Sequence, residues 1–229
     1  MTEQESFLDK ILSHSKHAAI AVLTTICPMA NGVWQYMSAI ETENLIKLVN
    51  GINERVEGLE KSDVIDFRER GSSEDGEGLL KYSFIKAAKC HRKEQIEKMV
   101  DIIIAALAKK AINYNDAEVL IDIVCDLNDE EAVFLFQIYE EFKSVNSDES
   151  PLRQSGFINF AFEDPFFNVE NDFNIKSFSL YSRLIAKGLL EEINQTRTIW
   201  DGEKNIKHRV FRFTYYGSLF LKIIYGYIL

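Results

Sequence analysis

His14 and His17 stand three positions apart in a stretch of helical composition near Asp9, the spacing at which two imidazoles share a helix face and can act as paired metal ligands. No third ligand follows at a recognisable spacing, so the pair reads as structural or solvent-exposed. His91 follows Cys90 directly. That places a base beside a nucleophile along the chain, but neighbouring helical residues point about 100° apart and do not naturally hydrogen-bond to each other. Cys27, Cys90 and Cys125 are far apart in sequence, odd in number and outside any C-x-x-C pair, so they imply neither a disulfide framework nor a zinc ribbon. There is no G-x-x-x-x-G-K-[ST], no G-x-G-x-x-G after a strand and no G-x-S-x-G, which removes phosphate-cradling loops and the hydrolase elbow as readable motifs. Lys86, Lys89 and Lys93 recur at helical spacing with Arg92 beside them, a small basic cluster that reads as solvated, with an acidic partner or this chain's own acidic stretch as its alternative docking partner. The sequence therefore assigns no catalytic residue, no cofactor and no metal ligand.

The elements that would position these residues are mainly helical. The 229-residue chain has a formal charge of −10, 46% hydrophobic residues, eleven glycines and three prolines, a balance that supports a packed core and favours long helices over a many-turned β-sandwich. The first residues, "MTEQESFLDK", lack the basic start and apolar core of a signal peptide, and with the cysteine pattern this predicts a cytoplasmic protein. Residues 18–40 contain no charge over 23 positions, enough to cross a bilayer. The "PMANG" cluster around Pro28 instead predicts a break between two buried helices, with membrane association through 18–40 as the alternative.

A first helix is expected over 5–26 and a second from about Val33 toward Leu59. In the second, Leu45, Val49, Ile52, Val56 and Leu59 alternate spacings of four and three, a seam suited to a bundle contact or, in the sharper reading, to a homodimer. Residues 68–78, "RERGSSEDGEG", are poor in apolar residues and rich in glycine and acid, and predict a flexible acidic loop whose charges are solvated rather than metal-binding. Ile96, Met99, Val100, Ile103, Ile104 and Leu107 fall on one helix face. Asn115 with Glu118 and Asn128 with Glu131 have capping-box spacing. The helix after Asn128, apolar through Val133, Phe134, Leu135, Phe136, Ile138, Tyr139 and Phe142, is expected at the centre of the first domain. The expected organisation is a helical domain over 1–146, an aromatic-rich connecting segment over 147–171, and a separate domain over 172–229.

In that last part Asn174 or Ser177 starts a helix that ends at Gly188, "LLEEINQTRTIW" and "KHRVFRFT" flank the turn "DGEKN", and Thr214 caps a final helix. The order helix, strand, turn, strand, helix, with "RLIAKGLLEE" and "FRFTYYGSLFLKII", resembles the winged-helix superfamily over about the last quarter of the chain. The resemblance implies a C-terminal winged-helix-like module with one β-hairpin, on which Ser177, Ser179, Arg183 and Lys187 would face a partner or the DNA major groove, and Arg197, Lys204 and Lys207 would lie near phosphates. Residues 172–229 hold nine Lys or Arg against five Asp or Glu, a local charge of +4 on a body carrying −14. A basic end can meet DNA through its local field, yet "SFSLYSRLIAK" offers few polar side chains for base reading, and Glu191, Glu192, Asp201 and Glu203 lie beside the wing. The expectation is thus a non-enzymatic interaction or regulatory protein whose C-terminal module docks a macromolecular partner, a protein first and nucleic acid through 172–229 second; the alternatives are a DNA-binding transcriptional regulator and, third, a membrane-associated protein anchored by 18–40. The seam and the apolar tail "LFLKIIYGYIL" add the expectation of a homodimer.

Overall fold

The computed structural model describes residues 39–90, 92–145, 159–163, 172–200 and 205–225. The expected first helix, the His14–His17 pair, Cys27 and nearly all of 18–40 lie outside them, as does His91. The described chain is mainly helical, with eight helices and one small antiparallel sheet. Among the described residues no helix is long and apolar enough to cross a membrane. The chain separates into two compact units, Met1–Cys125 and Asp126–Leu229.

The first unit contains α1 (Ala39–Glu57), α2 (Lys61–Gly71), α3 (Glu74–Lys89), α4 (Lys93–Leu107) and α5 (Tyr114–Asp126), the last residue of which begins the second unit. The stripe on α4 is buried as expected, and Ile102, Ala105 and Ala106 are buried with it. A helix covered on nearly every side is the centre of its unit rather than one wall of it. α1 packs on α4 and α3, and Gly51 permits its close approach, since a Cβ there would lie 2.9 Å from Val100 Cγ2. Leu45, Val49, Ile52 and Val56 are buried in this intramolecular contact and Leu59 is half-buried. The seam is used as a bundle contact within the unit.

Residues 68–78 are not a flexible loop. α2 continues to Gly71 and α3 begins at Glu74, leaving Ser72 and Ser73 between them. Ser73 caps α3 by accepting the Gly76 N–H at 3.1 Å, and Glu74, Asp75 and Glu77 occupy the first turn, where the positive end of the helix favours acids. Low hydrophobicity here reflects a helix start, not a lack of order. Gly76 is buried because the chain doubles back on α2: a Cβ would lie 1.9 Å from the Arg70 carbonyl oxygen.

Of the two expected capping boxes, one forms as read and one is displaced. Asn128 Oδ1 accepts the Glu131 N–H and Glu131 Oε2 accepts the Asn128 N–H, both at 2.9 Å, the reciprocal arrangement that satisfies two free donors. The cap of α5 is Asn113, whose Oδ1 accepts the Asp116 N–H at 2.8 Å. Asn115 lies one residue inside the helix that Asn113 starts.

The second unit contains α6 (Asp129–Val145), β1 (Asn159–Glu163), α7 (Asp172–Ala186), β2 (Leu190–Trp200), β3 (Asn205–Phe213) and α8 (Tyr215–Tyr225). The division thus falls before α6, not after it. The physical reason is an aromatic join: Phe134 of α6 meets the edge of Tyr181 at 4.8 Å, Tyr181 stacks on Phe211 at 4.9 Å, and Phe136 lies 5.3 Å from Tyr225. Ring pairs of this kind add to the apolar area they bury. The hairpin strands β2 and β3 pair as expected, and β1, from the connecting segment, adds a third strand in the order β1-β3-β2. Gly188 closes α7 in the left-handed region at φ 70°, with Leu189 N–H to Leu184 O and Gly188 N–H to Ile185 O completing the cap. Thr214 caps α8 through the Gly217 N–H at 3.0 Å.

Candidate functional site

The residues singled out on the C-terminal module are distributed over three elements. Ser177, Ser179 and Arg183 belong to α7, and Lys187 follows it. Arg197 lies on β2 opposite His208, and Lys207 on β3 opposite Thr198, so both are on the hairpin near one another in register. Lys204 lies outside the described residues. Ser179 is exposed.

Arg183 and Lys187 are one helical turn apart, and both turn toward the same carboxylate. Arg183 Nε lies 2.7 Å from Glu131 Oε1 and Lys187 Nζ 3.6 Å from Oε2. Lys187 Nζ also donates to the Asp126 carbonyl at 2.6 Å. Glu131 is only 1% exposed. A carboxylate removed from water to that degree needs paired charge and hydrogen bonds, and it receives them from two cations and from the Asn128 N–H. The same residue therefore caps α6 and fastens α7 to it. Reading Glu131 only as a capping residue misses this second role. The usable signal is the pair of cations at Arg183 and Lys187, whose spacing gives one buried acid two partners.

At the base of the hairpin Glu191 faces Arg212 across the β2–β3 pair and accepts a charge-assisted hydrogen bond from its Nε. An acid thus offsets one of the cations of the hairpin region. Tyr215 at the start of α8 is exposed and sits edge-on to Tyr216 at 5.3 Å, leaving an aromatic ring at the surface of the module.

A second polar cluster lies in the first unit. Asp122 Oδ1 accepts from Tyr82 Oη at 2.6 Å and from Lys86 Nζ at 2.5 Å. Burial alone would raise the Asp122 carboxyl, but the hydrogen bonds of Lys86 and Tyr82 and the Lys86 charge hold it below its ordinary value. The same bond to Asp122 raises Lys86. The expected basic cluster is thus divided: Lys86 is paired with Asp122, and Lys93 lies 3.6 Å from Glu97. A cleft of about 400 Å³ between α1 and α4 is lined by Lys47, Arg55 and Lys93. Each of these cations is paired, with Glu43, Asp101 and Glu97 respectively, so the cleft does not concentrate positive charge for an anion.

Cys90 and Cys125, distant in sequence, meet with their Sγ atoms 3.5 Å apart. Among the described residues no group of three or more His, Cys, Asp or Glu is arranged to hold a metal ion. No family model, no curated protein and no solved structure matches this chain.

Proposed function

We propose that the protein is a non-enzymatic interaction protein whose C-terminal unit, a winged-helix-like module, docks a protein partner. The order of α7, β2, β3 and α8, with β1 added beside β3, is the arrangement on which the likeness to winged helices rests. The observation that carries the choice of partner is the pairing of Arg183 and Lys187 with Glu131. In a DNA reader the helix before the wing carries its cations toward the groove and phosphates. Here Arg183 of that helix and Lys187 just after it are turned onto a buried carboxylate of α6, and presenting them to DNA would leave that carboxylate uncompensated. The Glu191–Arg212 pair at the base of the wing acts in the same direction. A fold alone does not choose between DNA and protein; the use of these charges favours protein.

The test uses the full chain. Fluorescence anisotropy against random-sequence duplex DNA between about 50 and 200 mM salt gives no saturable binding, because phosphate contact would produce a steep salt dependence. Cross-linking of the tagged protein in its own host places partner cross-links on residues 190–225. Tight, salt-sensitive DNA binding that Arg183→Glu abolishes without unfolding the protein would establish the DNA reading instead.

A further inference from the structure

Cys90 and Cys125 are both free thiols, and their Sγ atoms are in contact at 3.5 Å. The contact is held from the backbone on both sides. The Cys90 carbonyl accepts from Asn44 Nδ2 of α1 at 2.6 Å, and the Cys90 N–H donates to Ala87 O at 3.1 Å. Gln95 Nε2 of α4 donates to the Cys125 carbonyl at 2.9 Å and to the Val124 carbonyl at 3.1 Å. The two chain segments that present the sulfurs are thus fixed by buried or part-buried side chains from two other helices. A disulfide has an S–S length of about 2.05 Å, so the sulfurs must close by roughly 1.5 Å, a distance within reach of side-chain rotation and small backbone adjustment.

The two thiols are not equivalent. Cys90 is buried, whereas Cys125 is partly exposed and opens the pair to solvent. The Sγ–Sγ contact, in which either thiol can donate, couples the two titrations, and the nearby Lys86 charge favours the thiolate form of both. Cys90 Sγ also donates to Met99 Sδ at 3.7 Å, and the partly exposed Cys125 is the sulfur that a small oxidant meets from solvent.

We propose that Cys90 and Cys125 are a redox-modification site, a dithiol that a small hydroperoxide converts into a reversible intramolecular disulfide. In the first step one sulfur of the pair, as its thiolate, attacks one peroxide oxygen. An S–O bond forms, the O–O bond breaks, the sulfur loses two electrons to the peroxide, and the leaving hydroxide takes up the proton that this thiol had released to become the first water. The proton of the other thiol, released as its sulfur attacks the sulfenic acid of the first, leaves with the second oxygen as the second water. The S–S bond forms as the S–O bond breaks, so two thiols and one hydrogen peroxide give one disulfide and two waters. A thiol reductant reverses the bond by exchange. The product joins the C-terminal end of α3 to that of α5 and encloses α4, which fixes the arrangement of the first unit at the residue where that unit ends.

The full-length protein treated with stoichiometric hydrogen peroxide, blocked with N-ethylmaleimide and digested without reductant is expected to yield one peptide pair joining Cys90 to Cys125, lighter by two hydrogens and split by dithiothreitol. The oxidised form unfolds at a temperature higher by about 5–10 °C, as a closed loop of this length predicts, and the shift disappears on reduction. With either cysteine replaced by alanine no disulfide forms, and dimedone labels the remaining sulfur as a persistent sulfenic acid. Recovery of both cysteines as maleimide adducts after peroxide, oxidation of one of them to sulfinic acid with the other still free, or a bond formed only between two copies of the chain would each overturn the proposal.

Discussion

Glu131 and Arg183 form the contact that defines the second unit: Oε1 of a carboxylate only 1% exposed meets the Arg183 Nε at 2.7 Å, while its Oε2 accepts the Asn128 N–H at 2.9 Å. One side chain thus closes the start of α6 and anchors α7.

Glu131→Ala removes the reciprocal cap and strands Arg183 and Lys187 beside an empty site. We expect a loss of about 2–4 kcal/mol, the range for losing a helix cap together with a partly buried ion pair. Glu131→Gln keeps an acceptor for the Asn128 N–H and loses less. Urea unfolding of the three proteins, followed by circular dichroism, gives the order wild type, Gln, Ala; a Gln variant as unstable as Ala would assign the whole effect to charge.

Two glycines separated by one residue respond in opposite directions to the same substitution. Gly78 is exposed within α3 with nothing within 4 Å of a Cβ, and Gly78→Ala is expected to stabilise by about 0.5–1 kcal/mol through helix propensity. Gly76→Ala sets a Cβ against the Arg70 carbonyl and costs about 2 kcal/mol or more. Thermal melts of the two variants are compared with wild type, and a neutral Gly76→Ala would show that α2 and α3 can separate.

The Tyr82–Asp122–Lys86 cluster confers a pH dependence of known sign. The folded-state value of Asp122 is lowered, so its contribution is complete above the ordinary aspartate value of about 3.9 and is lost as pH falls through the lower folded value. Lys86 is raised, and its part is lost only as pH rises past its ordinary value of about 10.4 and through the folded one. The side chains are 34% and 46% exposed, and solvent screening limits the pair to roughly 0.5 kcal/mol. Asp122→Asn therefore lowers the urea midpoint slightly at pH 7, and the difference from wild type shrinks toward pH 3. A gap that widens in acid would reverse the assignment.

Val49→Lys with Val56→Lys tests where the α1 seam is used. Val49 and Val56 are 3% and 8% exposed within the first unit, and an unpaired lysine at each costs about 3 kcal/mol. The double variant is expected to lose the cooperative unfolding of the first unit. A protein that stays folded and only halves its mass in light scattering would show that the seam joins two copies.

The helical character of the chain, the stripe of α4, the Asn128–Glu131 cap, the Gly188 end of α7, the Thr214 cap and the hairpin strands were all legible in the sequence. Each depends on residues within a few positions of one another, and helix period, strand alternation and capping geometry operate at that range. Tertiary structure decided the rest. Residues 68–78 resemble a solvated loop in composition, and they become a tight helix–helix turn because Gly76 lets α3 pass against the Arg70 carbonyl. The boundary moves ahead of α6 because Phe134 and Glu131 find Tyr181 and Arg183 about fifty residues later. Arg183 and Lys187 lose their apparent freedom for the same reason, and Cys90 acquires Cys125 from 35 residues away. Local spacing specifies which face a side chain occupies on its own element; which element comes to cover that face depends on contacts between distant segments, and no short-range pattern encodes those.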